Sequence, residues 1–282
     1  MIKSLRLSVV VEDSTSMEKP DLIAKHGLSL LVETQSKESE LALLMDAGPS
    51  PDVVVGNMGR MNIDPRKIGL IVISHAHHDH TGGLVGVLKA IGGPRIVVAH
   101  PGIFDVKLRV KPSIRSIGSP YRLAEVEEAG GILTLARNSV MLAEGICTSG
   151  EIDRETTTEK VEGFWTINDH QFIGDTMPDD QALLVNVQDK GLVVITGCAH
   201  AGIINTLRHA RKLLGIDRIY AVIGGFHLDR AGDERINMTV TELTRLRPEI
   251  VAPCHCTGFD ATRRLVETFG DACHPLRTGD VV

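Results

Sequence analysis

The stretch LIVISHAHHDHTGGL, Leu70 to Leu84, carries an apolar run straight into four of the chain's twelve histidines and one aspartate, all within six positions. Three further apolar runs end in the same manner, GLVVITGCAH at His200, YAVIGGFH at His227 and IVAPCHC at His255. Short β-branched runs without polar alternation read as strands buried on both faces. Four such strands, each running into a histidine loop, constrain the fold, because the loops serve a common purpose only if the strand ends share one edge.

The remainder of the chain fits that frame. Strands are expected at about 4–11, 28–33, 41–46, 131–135, 139–147 and 182–188, besides the four above. Helices are expected near 51–60, after TGG and up to Gly92 and Gly93, after His200, and over NMTVTELTRLR. Strands alternate with helices, no short repeat or linker interrupts residues 1–282, and the reading is an α/β chain forming a single domain of two similar halves. Aromatic residues make up only 3% of the chain, so the core falls to Val, Ile, Leu, Ala and Met. Between about 104 and 122 the pattern loosens, and Lys107, Arg109, Lys111, Arg115 and Arg122 follow one another with no acid after Asp105. That segment is either a solvated basic loop or a flap that offers Lys107, Arg109 and Arg115 to an anionic substrate.

Compartment and partners follow from composition. A net charge of −6 argues against a nucleic-acid binder. No apolar run is long enough for a membrane span, and the N-terminus reads as a strand rather than a signal peptide. Five cysteines, an odd number without a framework spacing, suit reduced thiols in the cytoplasm.

Imidazole and carboxylate at the offsets of H-x-H-x-D-H, placed after a strand, are the ligand types of zinc, iron and manganese. His75, His77, Asp79 and His80 are therefore candidate metal ligands, and Gly82 and Gly83 suit the sharp turn they need; His78 points elsewhere. A local cluster cannot close a metal site alone, so His200 and His255 are expected to complete two sites, one begun by His75 and His77, the other by Asp79 and His80. Two divalent ions, zinc first and manganese or iron as alternatives, would activate a water for attack. His26, His100, His170, His209 and His274 are read as ordinary polar residues. His227 either binds a substrate phosphate, serves as general acid, or is structural. Cys254 and Cys256 flank His255, and alternation along an extended segment would turn both away from the metal.

LLMDAG, SHAHHDHTGGL, TGCAHAGIINT, GGFHL and PCHCTGF, in this order from Asp46 to Phe259, resemble the metallo-β-lactamase superfamily. The resemblance is to its branch typified by 7,8-dihydropterin-6-methyl-4-(β-D-ribofuranosyl)aminobenzene-5′-phosphate synthase. It implies an αββα sandwich, two mixed β-sheets flanked by helices, with a binuclear metal site at one edge. It implies that Asp46 is a buried carboxylate orienting the metal loop and that His255 is the final ligand. Where members commonly carry a histidine and a bridging aspartate, this chain has Asp180 and Cys198; Asp180 is then ligand or outer partner, Cys198 ligand or small buried residue, and His200 the ligand.

The expected function is a metal-dependent hydrolase of a small anionic ester, most simply a phosphoester, with Asp79 and His227 in catalytic positions. The alternatives are a pterin-linked synthase, in which Phe104, Tyr121 and Trp165 would wall the pocket, and a non-hydrolytic metal-binding or redox protein.

Overall fold

Two six-stranded sheets face each other across a shared layer of aliphatic side chains in the computed structural model, which describes residues 1–282. In chain order the first sheet takes β1 (Ser4–Val11), β2 (Ser29–Gln35), β3 (Glu40–Met45), β4 (Leu70–Val72) and β5 (Arg95–Ala99). A short pair, β6 (Leu108–Arg109) and β7 (Arg115–Ser116), leaves the sheet before β8 (Gly131–Leu135) closes it in the order β1-β2-β3-β4-β5-β8. Then follow β9 (Met141–Ala143), β10 (Ile146–Thr148), β11 (Trp165–Asn168), β12 (Gln171–Gly174), β13 (Ala182–Val187), β14 (Gly191–Thr196), β15 (Ile219–Gly225) and β16 (Ile250–Cys254). The second sheet runs β16-β15-β14-β13-β10-β9. Each sheet is mixed, with antiparallel strands on one side and parallel strands on the other.

Side-chain alternation explains the layering. Along β2 and β3, Leu30, Val32, Leu43 and Met45 enter the layer between the sheets, where they meet Leu183, Val185, Val193 and Ile195 of the second sheet. Leu31 and Leu44 point the other way, against α1 (Pro51–Arg60) and α3 (Leu84–Ile91), the helices on either side of the short α2 (His78–Thr81). After α4 (Leu123–Glu128), the helices α5 (Ile203–Leu214), α6 (Asp233–Leu246) and α7 (Phe259–Phe269) cover the outer face of the second sheet through Ile203, Leu207, Ile236, Leu243 and Leu265. Strands with both faces covered must be apolar throughout, which is why LIVIS and GLVVIT lack alternation. The layers are those of the αββα sandwich.

Two expectations change in detail. The strand over 139–147 is a tight pair, β9 and β10, broken at Gly145. The basic segment is not a free loop: β6 and β7 join β11 and β12 in a third, four-stranded sheet of order β12-β11-β6-β7. No helix is long and apolar enough to cross a membrane, and all five cysteines are free and buried.

Replacing Leu43, fully buried between the sheets, with alanine should lower unfolding free energy by about 2–5 kcal/mol. Ile132→Ala, at a side chain 53% exposed, should change it by no more than about 0.5 kcal/mol. Urea denaturation of the two variants checks both values.

Candidate metal centre

The strand ends converge as the sequence required. Asp46 follows β3, Ser74 and His75 follow β4, Cys198 and His200 follow β14, His227 follows β15, and His255 follows β16. Gly82 and Gly83 serve this convergence by close approach rather than by turning: neither has positive φ, and a Cβ would fall 2.2 Å from Pro49 O and 2.1 Å from Ala47 O respectively.

Two sets of ligand atoms result. His75 Nε2 lies 3.0 Å from His77 Nδ1 and 3.2 Å from His200 Nε2. His80 Nε2 lies 3.2 Å from both His255 Nε2 and Cys198 Sγ, and Asp79 Oδ2 is 3.5 Å from His255 Nε2 and 3.8 Å from His80 Nε2. Around zinc at about 2.0–2.1 Å, tetrahedral nitrogen ligands stand about 3.4 Å apart, so these spacings match polyhedron edges.

Proton bookkeeping supports the same fit. His80 Nδ1 donates to Asp46 Oδ2 at 2.7 Å and His255 Nδ1 to Asp13 Oδ1 at 2.7 Å. With Nδ1 donating in each case, the two rings turn their Nε2 atoms toward each other at 3.2 Å, so that on losing any Nε2 proton both lone pairs would converge on one cation. Burial lowers the pKa of His75 and His200 well below the imidazole range and that of His77 to about 3, so the first set consists of neutral rings. Burial alone would raise Asp79, but His80 and His255 outweigh it and the carboxylate is held well below its usual range. For His255 burial acts downward, and the negative neighbours Cys256, Asp13 and Asp79 reverse it. The residues present therefore fit two divalent cations.

The remaining candidates separate by position. Asp46 lies behind the ligand atoms, accepting from Ser74 N–H, Ser74 Oγ–H and His80 Nδ1–H. Asp180 stands behind His200, where its Oδ2 accepts from Ala201 N–H at 2.8 Å. Burial lifts its pKa to about 7. His227, half-buried, has its ring 4.2 Å from that of His200 and its Nδ1 unpartnered. His78 is exposed and its Nδ1 donates to Ile117 O at 3.2 Å.

A cleft of about 890 Å³ opens over these groups, lined also by Arg109, Arg115, Lys160, Arg230 and Arg235. Arg109 lies over the Phe164 ring at 5.3 Å, and Phe164 in turn packs on His77 and His200 at 5.2 and 5.0 Å.

Lys107 corrects the expectation of a substrate-binding role. It is 2% exposed, with Nζ 2.6 Å from Asp179 Oδ1 and 2.9 Å from Asp175 Oδ2, and it does not line the cleft. Two carboxylates hold its charge inside the protein. The expected pocket aromatics also lie elsewhere: Phe104 and Tyr121 pack into the helix side of the first sheet, and Trp165 stacks on Phe172 at 4.7 Å. Phe164 takes their place.

Two residues read as ordinary or passed over belong to the cleft. Asp13 bridges His255 and His26, the latter at 2.9 Å, and His26 Nε2 is 3.3 Å from Asp79 Oδ2. The signal was present in VVVED, an apolar strand ending in acids as the others end in histidines.

Comparison with known proteins agrees with this geometry. Residues 24–255 match the profile of the metallo-β-lactamase superfamily. The chain is 33% identical, over all of its own length and 97% of the relative's, to 7,8-dihydropterin-6-methyl-4-(β-D-ribofuranosyl)-aminobenzene-5′-phosphate synthase of Methanocaldococcus jannaschii. It is 32% identical to an uncharacterised protein of the same organism, covering 91% of this chain and 92% of the other. Among solved structures, a metal-dependent hydrolase of the β-lactamase superfamily superimposes with a TM-score of 0.82 at 29% identity, covering 99% of this chain and 98% of that one. A diphosphatase of the PhnP family shares the fold, with a TM-score of 0.52 at 13% identity over 100% of this chain and 98% of that one.

Asp46→Ala should weaken metal binding by roughly 10–100-fold in chelator competition, because His80 and Ser74 lose the acceptor that orients them. Lys107→Met, which leaves two carboxylates buried beside an apolar side chain, should cost about 3–5 kcal/mol in urea unfolding.

Proposed function

The chain belongs to the metallo-β-lactamase superfamily, and on that premise we propose that it is a metal-dependent hydrolase of small phosphorylated esters. In this reading His75, His77 and His200 hold one cation and Asp79, His80 and His255 the other. The observation that carries the substrate class is the set of cations Arg109, Arg115, Lys160, Arg230 and Arg235, which outnumbers the acids Glu162 and Asp229 on the wall of one cleft floored by the histidines.

Two divalent cations, zinc being the best match to imidazole and carboxylate, supply Lewis acidity toward a phosphoryl oxygen and a water that ionises near neutral pH. The protein's own groups then position the ester. Arg109 has no carboxylate partner among the ion pairs and lies over Phe164, so its donors are free for phosphate oxygens. Arg115, exposed on β7 beside it, adds a second cation where an extended anion would leave the cleft. Phe164 shields the outer faces of His77 and His200 from bulk water. His227, whose side chain lines the cleft beside His200, is the group proposed to give a proton to the departing oxygen. Five free buried thiols suit a reducing compartment, so the proposed setting is the cytoplasm and the proposed partner a small soluble anion.

A second reading rests on the full-length likeness to the pterin synthase. There the same arginines would hold a departing diphosphate while an aromatic acceptor attacks the pterin methylene carbon.

The zinc- or manganese-loaded protein should release phosphate or diphosphate from a dihydropterin-methyl diphosphate without any acceptor. Release that requires the ribofuranosylaminobenzene phosphate acceptor and yields a coupled product would replace the hydrolase by the synthase; no release with this compound or a panel of phosphoesters would refute both. Arg109→Ala combined with Arg115→Ala should raise KM for the turned-over phosphoester at least about tenfold, a loss of about 1.4 kcal/mol, with kcat changed less.

A further inference from the structure

We infer that Cys256 and Cys198 form a dithiol at the second cation position, so that sulfur joins Asp79, His80 and His255 in holding the metal there. The inference rests on the metal-dependent reading above and extends it to residues outside the H-x-H-x-D-H pattern.

The alternation expected for C-H-C fails at one residue. Residues 255–257 form a 3-10 turn, and His255 has φ +50°. Cys254, the last residue of β16, points into the layer between the sheets. Past the turn, His255 and Cys256 both line the cleft, as does Cys198 from the neighbouring β14 loop. The ligand atoms of Cys198, His255 and Cys256 all lie within 4.8 Å of one another, and Cys198 Sγ is 3.2 Å from His80 Nε2. Cys256 Sγ is 3.5 Å from Cys198 O, and its side chain also meets those of Cys198 and His227.

The fold makes room for this sulfur. A Cβ on Gly225 would stand 2.6 Å from Cys256 Sγ and 2.5 Å from Gly197 O, so only glycine at the end of β15 leaves the thiol its place beside Cys198.

Thiol sulfur has a chemical consequence that imidazole lacks. A sulfur binds the metal as thiolate, so any thiol among the two loses its S–H proton to solvent as the metal–sulfur bond forms. Soft sulfur ligands favour zinc, cobalt and ferrous iron over manganese and magnesium. The second position is therefore selective for a thiophilic ion.

Cobalt(II) reads this directly. The full chain loaded with cobalt should bind two ions and show a near-ultraviolet sulfur-to-cobalt charge-transfer band. The band should fall by roughly half in Cys256→Ser and in Cys198→Ser, vanish in the double variant, and stay whole in Cys254→Ser. The double variant should also lose at least tenfold of its preference for zinc over manganese in competition. Two bound cobalt ions without the band, or a band unchanged in folded Cys256→Ser, would overturn the dithiol and leave the metal-dependent reading standing. Failure to take up cobalt or zinc at all would overturn both.

Discussion

Asp46 accepts three hydrogen bonds, each 2.7 Å long, from Ser74 N–H, Ser74 Oγ–H and His80 Nδ1–H. The rest of the centre depends on that one buried carboxylate. Because the Ser74 hydroxyl gives its only proton to Asp46, it can only accept from His75 Nδ1 at 2.9 Å, which leaves His75 Nε2 with its lone pair toward His77 and His200. His80 is fixed the same way and turns its Nε2 toward His255. A single carboxylate thus sets the tautomer of one histidine in each ligand set. The anion itself is tolerable in the interior because donors surround it. Asp13 repeats the device from β1, holding His255 by Nδ1, while Glu12 accepts the His255 backbone N–H at 3.2 Å.

The second structural tie runs through Lys107. Its ammonium joins Asp175, just after β12, to Asp179, whose other oxygen accepts from Ala76 N–H between the two histidines of the metal loop at 2.8 Å. The arm carrying Arg109 and Arg115 is therefore tied to the loop carrying His75 and His77 through two buried contacts. Buried charge of this kind is costly unless every partner is in place. Its value here is geometric, since the cleft-lining arginines keep a fixed relation to the centre.

Much of this was legible in the sequence because the fold uses strong signals. Strands covered on both faces must be continuously apolar, and the loops after β4, β14, β15 and β16 announce themselves by histidine. Asp46, His200 and His255 come together at the strand ends in the folded chain. The hairpin β11–β12 was not legible: its turn places Asp169 and His170 at positive φ without glycine, so the usual hairpin signature is missing. Lys107 was misread because sequence shows charge but not the acids that will meet it, and those acids lie some seventy residues away. Cys256 was misread because alternation holds only while the backbone stays extended. His26 looked ordinary for a related reason, as its role comes from Asp13 and Asp79, which reach it only in the folded chain.

The arrangement of charge links metal and substrate in a definite order. Asp13 and Asp79 lie against the ligand atoms, whereas Arg109, Arg115, Lys160, Arg230 and Arg235 line the cleft around them. Cations held by the proposed ligand set would make the floor of the cleft more positive, and the field of the arginines would then continue into it.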